Sequence, residues 1–276
     1  MTAAIIIMSI LFFGMQAVGL KKIQVKNLRE YILLIGVMSG VVAVCFWGWG
    51  ACNGIALSAP TVVYGLLFAV VFVATITSYY YAMQIGPLSY TAFFYSASMV
   101  IPSLAGVFIW KDEFRYTEGI GILLFLAAFY LISVPGAQES SKGNRKWMLL
   151  CLITWLLNGS LSVIVKAQQM ALKGMQATSM TTVAFTGAFF LSIIVYAVML
   201  LKAGENKASS LRKDIGRLRF FAVCLLAVAV GNGGGNFTVT YLSSRVSSAY
   251  LFPTVLGGMM VGITIYSVIL LKEKIN

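Results

Sequence analysis

Nine apolar blocks, at roughly 3–20, 31–50, 61–83, 89–110, 117–134, 147–165, 177–201, 220–242 and 247–271, fill most of this 276-residue chain. Each is long enough, at roughly 18 to 25 residues, to cross the ~30 Å hydrocarbon core of a bilayer as a helix. At that depth no water can bond a stray amide, so an unbroken apolar run satisfies its backbone only as a helix. Barrel strands would be shorter and would alternate apolar with polar residues. Composition agrees: 10 % of the residues are charged and 60 % hydrophobic, where soluble domains carry about 25 % charged residues. The sequence predicts an all-α, polytopic membrane protein with nine transmembrane helices.

The net charge of +12 is a matter of topology. The Lys and Arg residues lie almost entirely in the short connections between blocks, and no basic stripe is interleaved with aromatics as a nucleic-acid surface would need. Cys45, Cys52, Cys151 and Cys224 have no CxxC spacing and read as packing residues. The first block is expected to be a span and not a signal peptide: no basic residue precedes it, and "GMQAVGLKK" is a poor cleavage site. No catalytic constellation, metal-ligand set or cofactor motif is present, so neither an enzyme nor a bound cofactor is expected.

The polar stretch "AQESSKGNRK" divides the chain into halves. Residues 1–135 carry five blocks, 136–146 form a connector, and 147–276 carry four. An offset of 160 pairs Tyr81 with Tyr241, Tyr90 with Tyr250, Met99 with Met259 and Glu113 with Glu273; near the start of each half an offset of 145 pairs Gly14 with Gly159 and Lys21 with Lys166. Five helices per unit is an odd number, so the second copy enters the membrane from the opposite side, as an inverted-topology repeat. On this pattern a tenth helix is missing after Glu273, giving a 5 + 4 arrangement.

The segment "YYYAMQIGPLSYTAFFYSASMVIPSLAGVFIWKDEF" (79–114) resembles the third-to-fourth helix signature of EamA-type proteins in the drug/metabolite transporter superfamily. The matching residues are Tyr81, Ala82, Gly86, Pro87, Pro102 and Glu113. The second copy keeps Tyr241 and Glu273, lacks the Gly-Pro, and has its proline displaced to Pro253. The resemblance implies a ten-helix permease in the plasma (inner) membrane, with a small-molecule solute held centrally between the halves.

"GNGGGN" (231–236) lies inside the eighth block, where the first repeat has "VFVATI". A phosphate loop would need a strand-turn-helix context and a following Gly-Lys-Ser/Thr, both absent. Two compatible readings remain. Gly231, Gly233, Gly234 and Gly235 could allow close helix packing, Gly231 and Gly235 having small-xxx-small spacing. They could equally make a hinge, a weak point of the helix at the membrane midplane, with Asn232 and Asn236 sharing one face. Other polar residues at or near mid-span complete the set of cavity candidates: Gln16, Tyr80, Tyr95, Asn158 and Tyr250.

The acidic residues fall at or near loops and there is no histidine, so no proton relay within the membrane is visible. Amides and tyrosines suit an uncharged or zwitterionic metabolite. The expectation is therefore a secondary transporter alternating access around a midplane cavity; the alternatives are a lipid-linked flippase and a non-transporting membrane assembly partner. Basic residues on alternate loops number fifteen against five, which puts the N-terminus outside. The resemblance implies the reverse.

Overall fold

The computed structural model describes residues 2–23, 25, 27–86, 88–133, 145–202 and 207–269. Most of the connector expected at 136–146 lies outside these residues, as do Pro87 and Glu273. The described residues form eleven helices and no strand: α1 (Thr2–Lys22), α2 (Leu28–Asn53), α3 (Ala59–Ile85), α4 (Leu88–Ala97), α5 (Val100–Trp110), α6 (Tyr116–Ser133), α7 (Arg145–Ala171), α8 (Ala177–Lys202), α9 (Lys207–Phe220), α10 (Ala222–Leu242) and α11 (Ser248–Ile269). Six of them, α1, α2, α3, α7, α8 and α10, are long and apolar enough to cross a membrane. Large apolar side chains such as Leu66, Val70, Phe190, Ile194 and Val230 are exposed on their outer faces, where a soluble protein would place charge.

Two features separate eleven helices from the nine predicted. The fourth block is broken at Ser98 and Met99 into α4 and α5. Proline at 102 has no N–H to give the Ser98 carbonyl and its ring crowds that group; the carbonyl accepts instead from Ile101 N at 3.0 Å, in a tighter turn. The second feature is α9, in a stretch that reads as a polar loop. It is an amphipathic helix with Ser210, Asp214 and Leu218 buried against the protein and Arg212, Lys213 and Arg219 exposed.

Local signals set the helix ends. Asn27 caps α2 by accepting from Glu30 N at 2.9 Å, which satisfies one of the orphan amides of the first turn. Ser58 caps α3, with Pro60 in its first turn, where the missing N–H costs nothing. Gly54 and Gly174 follow α2 and α7 at φ 85° and 79°, a backbone region open to glycine.

The connections alternate between two ends. One end, the basic end, carries the α1–α2 and α3–α4 connections, the start of α7, and α9 between α8 and α10. The opposite end carries α2–α3, α5–α6, α7–α8 and α10–α11. The main core lies between α2, α3 and α8, around Ile32, Leu34, Met38, Phe68, Phe72 and Phe185. Small residues bring these backbones together: Gly65 lies against Val183, and Gly36 against Ser192 and Ile193. Around this centre α1 packs along α10 and α11, while α7 packs along α3, α4 and α5.

Candidate functional site

A seam of polar side chains joins α7 to the first half of the chain. Trp147, Cys151, Thr154 and Asn158 are spaced by four, three and four residues and share one face of α7. Trp147 Nε1 donates to Thr91 Oγ1 at 3.0 Å and Thr154 Oγ1 to Ser78 Oγ at 3.0 Å. Asn158 Nδ2 donates to the Tyr95 carbonyl at 3.1 Å and to Ser98 Oγ at 2.6 Å. The break between α4 and α5 is what frees that carbonyl.

Further along α7 the seam becomes charged. Lys166 is 2 % exposed, and its ammonium bonds Asp112 Oδ2. The same carboxylate oxygen accepts from the backbone N–H of Ser248 at 2.9 Å, in the first turn of α11, where the helix dipole favours negative charge. The Lys166 ammonium also stands 5.6 Å from the ring centre of Trp110, within cation–π range. Three segments from both halves thus meet on one pair of charges. A neutral network continues beside it: Gln168 donates to Thr61, and Thr61 and Ser58 both donate to Gln176 Oε1. Around these groups Gln169 Oε1 and the hydroxyls of Ser244, Ser247 and Ser248 are buried with no partner among the described residues. Each such group costs roughly 1–3 kcal/mol if it stays dry.

The seven cavity candidates fall into separate groups. Tyr95 and Asn158 meet directly through the bond above. Asn236 Nδ2 donates to the carbonyl and side-chain oxygen of Asn232 at 2.9 and 3.2 Å, so the two residues are joined within α10. Gln16 lies on α1 with its backbone against Gly231. Tyr80 is buried and stacks on Tyr31, ring centres 4.8 Å apart. Tyr250 is 46 % exposed near the start of α11.

The glycines of "GNGGGN" pack. α10 is continuous through 231–236, with no break at the proposed hinge. A Cβ on Gly231 would lie 2.5 Å from the Phe12 carbonyl oxygen, one on Gly234 2.9 Å from the Phe12 ring, and one on Gly235 2.8 Å from the Phe13 ring. A Cβ on Gly233 would lie 2.8 Å from the Val42 side chain of α2. Two phenylalanines of α1 occupy the volume that side chains on α10 would need.

Lys166 and Asp112 were outside the sequence-based candidates. The sixth block ends at 165 because Lys166 lowers the local hydropathy, so Lys166 counts there as a loop cation. The helix runs on to Ala171. A signal for this existed: "KAQQMAL" contains neither Gly nor Pro, and the first helix stop is Gly174. Asp112 is in a loop, as expected, yet it reaches inward to a helix.

At the basic end two further ion pairs hold α9. Asp214 accepts from Arg29 Nε and from the Tyr196 hydroxyl, each at 2.9 Å. Arg217 bonds both oxygens of Glu30 at 3.1 and 3.2 Å.

No family model and no curated protein matches the chain. Among solved structures, one described only as "Crystal structure of protein" superposes with a TM-score of 0.70 at 14 % identity, over 97 % of this chain and 87 % of that one. At that identity the likeness is one of fold.

Proposed function

We propose that the chain is a secondary transporter of a small uncharged or zwitterionic metabolite, working by alternating access between two inverted repeats of EamA type in the plasma membrane. Two hydrogen bonds support the duplication. Ser9 Oγ donates to Thr238 Oγ1 at 2.8 Å, and Thr154 Oγ1 donates to Ser78 Oγ at 3.0 Å. The offsets of 145 and 160 carry Ser9 to Thr154 and Ser78 to Thr238, so one bond is the copy of the other. Helix pairing obeys the same exchange: α1 on α10 and α11 becomes α7 on α3 and on α4 with α5, while the α2–α8 and α5–α11 pairs map onto themselves.

The observation that carries the transport reading is the buried Lys166–Asp112 pair. Ionisable groups within a membrane protein are costly, and a buried ion pair adds little net stability over apolar packing. Here the pair fastens the turn after α5 of one half to α7 and α11 of the other. It is a closure of the end opposite the basic end. In the sequence its repeat-equivalent positions hold Lys21 and Lys272, two like charges, so the sequence does not encode the same ion pair twice. Opening the pair separates the halves at that end and lets water reach Gln169 Oε1 and the serine hydroxyls that lack a partner among the described residues. The solute then meets hydroxyls and amides beside one balanced pair of charges, an environment for a neutral or zwitterionic molecule. Asn158 and Tyr95 line the seam, with Gln16, Tyr80, Asn232, Asn236 and Tyr250 as the remaining contacts or packing supports.

The test is counterflow in proteoliposomes against a panel of amino acids and sugars, with and without a pH gradient. Saturable exchange of a panel solute, reduced in Lys166→Met protein that remains folded, supports the reading. A folded native preparation that exchanges none of them overturns it.

A further inference from the structure

Helices α1, α10 and α11 enclose an apolar groove of about 460 Å³ on the side of the bundle. Gly14, Met15 and Val18 of α1, Cys224 of α10, and Met259 and Gly262 of α11 line it, and Lys22 stands at its basic end. Two kinds of glycine occur on these helices. A Cβ on Gly19 would meet Val228 at 2.7 Å and one on Gly258 would meet Ile10 at 2.4 Å, whereas a Cβ on Gly14 or Gly262 would meet nothing within 4 Å among the described residues. The first kind lets helices touch. The second keeps a space open, since no neighbour among the described residues requires the missing side chain.

We propose that this groove is a binding site for one anionic phospholipid, with an acyl chain along α1 and the phosphate at Lys22. From Ile10 to Lys22 the groove follows α1 for about 18 Å, close to the ~15 Å hydrocarbon depth of a single leaflet. A helix laid along the same length would occupy on the order of 1,400 Å³, far more than the groove holds, while an acyl chain is thin enough to enter. Charge selects the headgroup. Lys22 is exposed at the end of the bundle that also carries the exposed Arg212, Lys213 and Arg219 of α9, and each basic residue near an anionic surface strengthens binding about fivefold. The exposed Leu211 and Ile215 of α9 flank the same cations, as in a helix lying at the membrane interface. This inference does not rest on the transport reading.

The test is native mass spectrometry and thermal unfolding of the full chain in detergent, with added phosphatidylglycerol or phosphatidylcholine of matched chains. The native protein is expected to retain one phosphatidylglycerol and to unfold at a higher temperature with it than with phosphatidylcholine. Gly14→Leu combined with Gly262→Leu fills the open space; it should keep the detergent melting point and lose the retained lipid. Lys22→Gln, which leaves the groove intact, should lower the preference for phosphatidylglycerol about fivefold. Equal retention in native and filled protein, no preference that Lys22→Gln changes, or a second copy of the chain in place of lipid would each overturn the proposal.

Discussion

Lys166 and Asp112 lie 54 residues apart in sequence and form a buried ion pair across the two halves of the molecule. Asp112 is fixed from a second direction by Ser248 N, so the carboxylate cannot follow Lys166 without releasing α11. Removing one partner leaves the other charge buried and alone, which costs ~3–5 kcal/mol, whereas removing both costs little. Lys166→Met and Asp112→Asn should each lower the melting temperature in detergent, and Lys166→Met with Asp112→Leu should recover most of the loss. Thermal unfolding of the three variants checks this.

The glycines of α10 differ in what blocks them. At Gly231 the obstacles are backbone atoms of α1, the Phe12 carbonyl oxygen and Gln16 N, which cannot rotate away. Gly231→Ala should therefore destabilise the fold by ~1–3 kcal/mol, the usual cost of overpacking. Gly14→Ala meets nothing and should be neutral or stabilising by up to ~1 kcal/mol, because alanine favours the helix. Chemical denaturation of both variants under one set of conditions gives the comparison.

If the proposed duplication holds, the bonds Ser9–Thr238 and Ser78–Thr154 are copies of each other. Double-mutant cycles with Ser→Ala and Thr→Val should give similar coupling at the two sites, around 0.6 kcal/mol each, typical of hydrogen bonds between membrane helices. A measurable coupling at one site with none at the other would count against equivalence of the two interfaces.

At the basic end α9 is held by Asp214, which is 2 % exposed and binds both Arg29 and Tyr196. Asp214→Ala removes both contacts and leaves a partly buried guanidinium without this carboxylate. Amide hydrogen exchange within 207–220 should accelerate in this variant, while exchange in α10 stays slow. Acceleration spread equally over both helices would mean that α9 is part of the core.

Hydropathy made most helices legible, because a membrane span must be long and apolar and nothing else in the chain is. It was blind where one helix carries charge or one apolar block contains a break. α9 has too few apolar residues to register as a block, although Ser210, Asp214 and Leu218 at spacings of four do trace its inner face. The break between α4 and α5 follows from Pro102, but a window average passes over a single missing N–H. Lys166 was hidden for a similar reason: its charge ended the block, and its neutralising partner sits in another turn. The sequence could identify Gly231, Gly234 and Gly235 as small residues, yet nothing local says that Phe12 and Phe13, more than two hundred residues away, would fill the space above them. For the same reason Asn232 and Asn236 could be assigned to one face without its being legible that they bond each other.

The central claim, alternating access controlled by Lys166 and Asp112, can be tested without knowing the solute. In a background with Cys45, Cys52, Cys151 and Cys224 replaced, Ser247→Cys places a thiol where a serine hydroxyl is now buried without a partner among the described residues. The rate at which a membrane-impermeant thiol reagent labels it from the side opposite the basic end is the measurement. The account predicts slow labelling with the ion pair intact and labelling at least about tenfold faster after Asp112→Asn, a change of ~1.4 kcal/mol in the opening equilibrium. Equal rates in two folded proteins would contradict it.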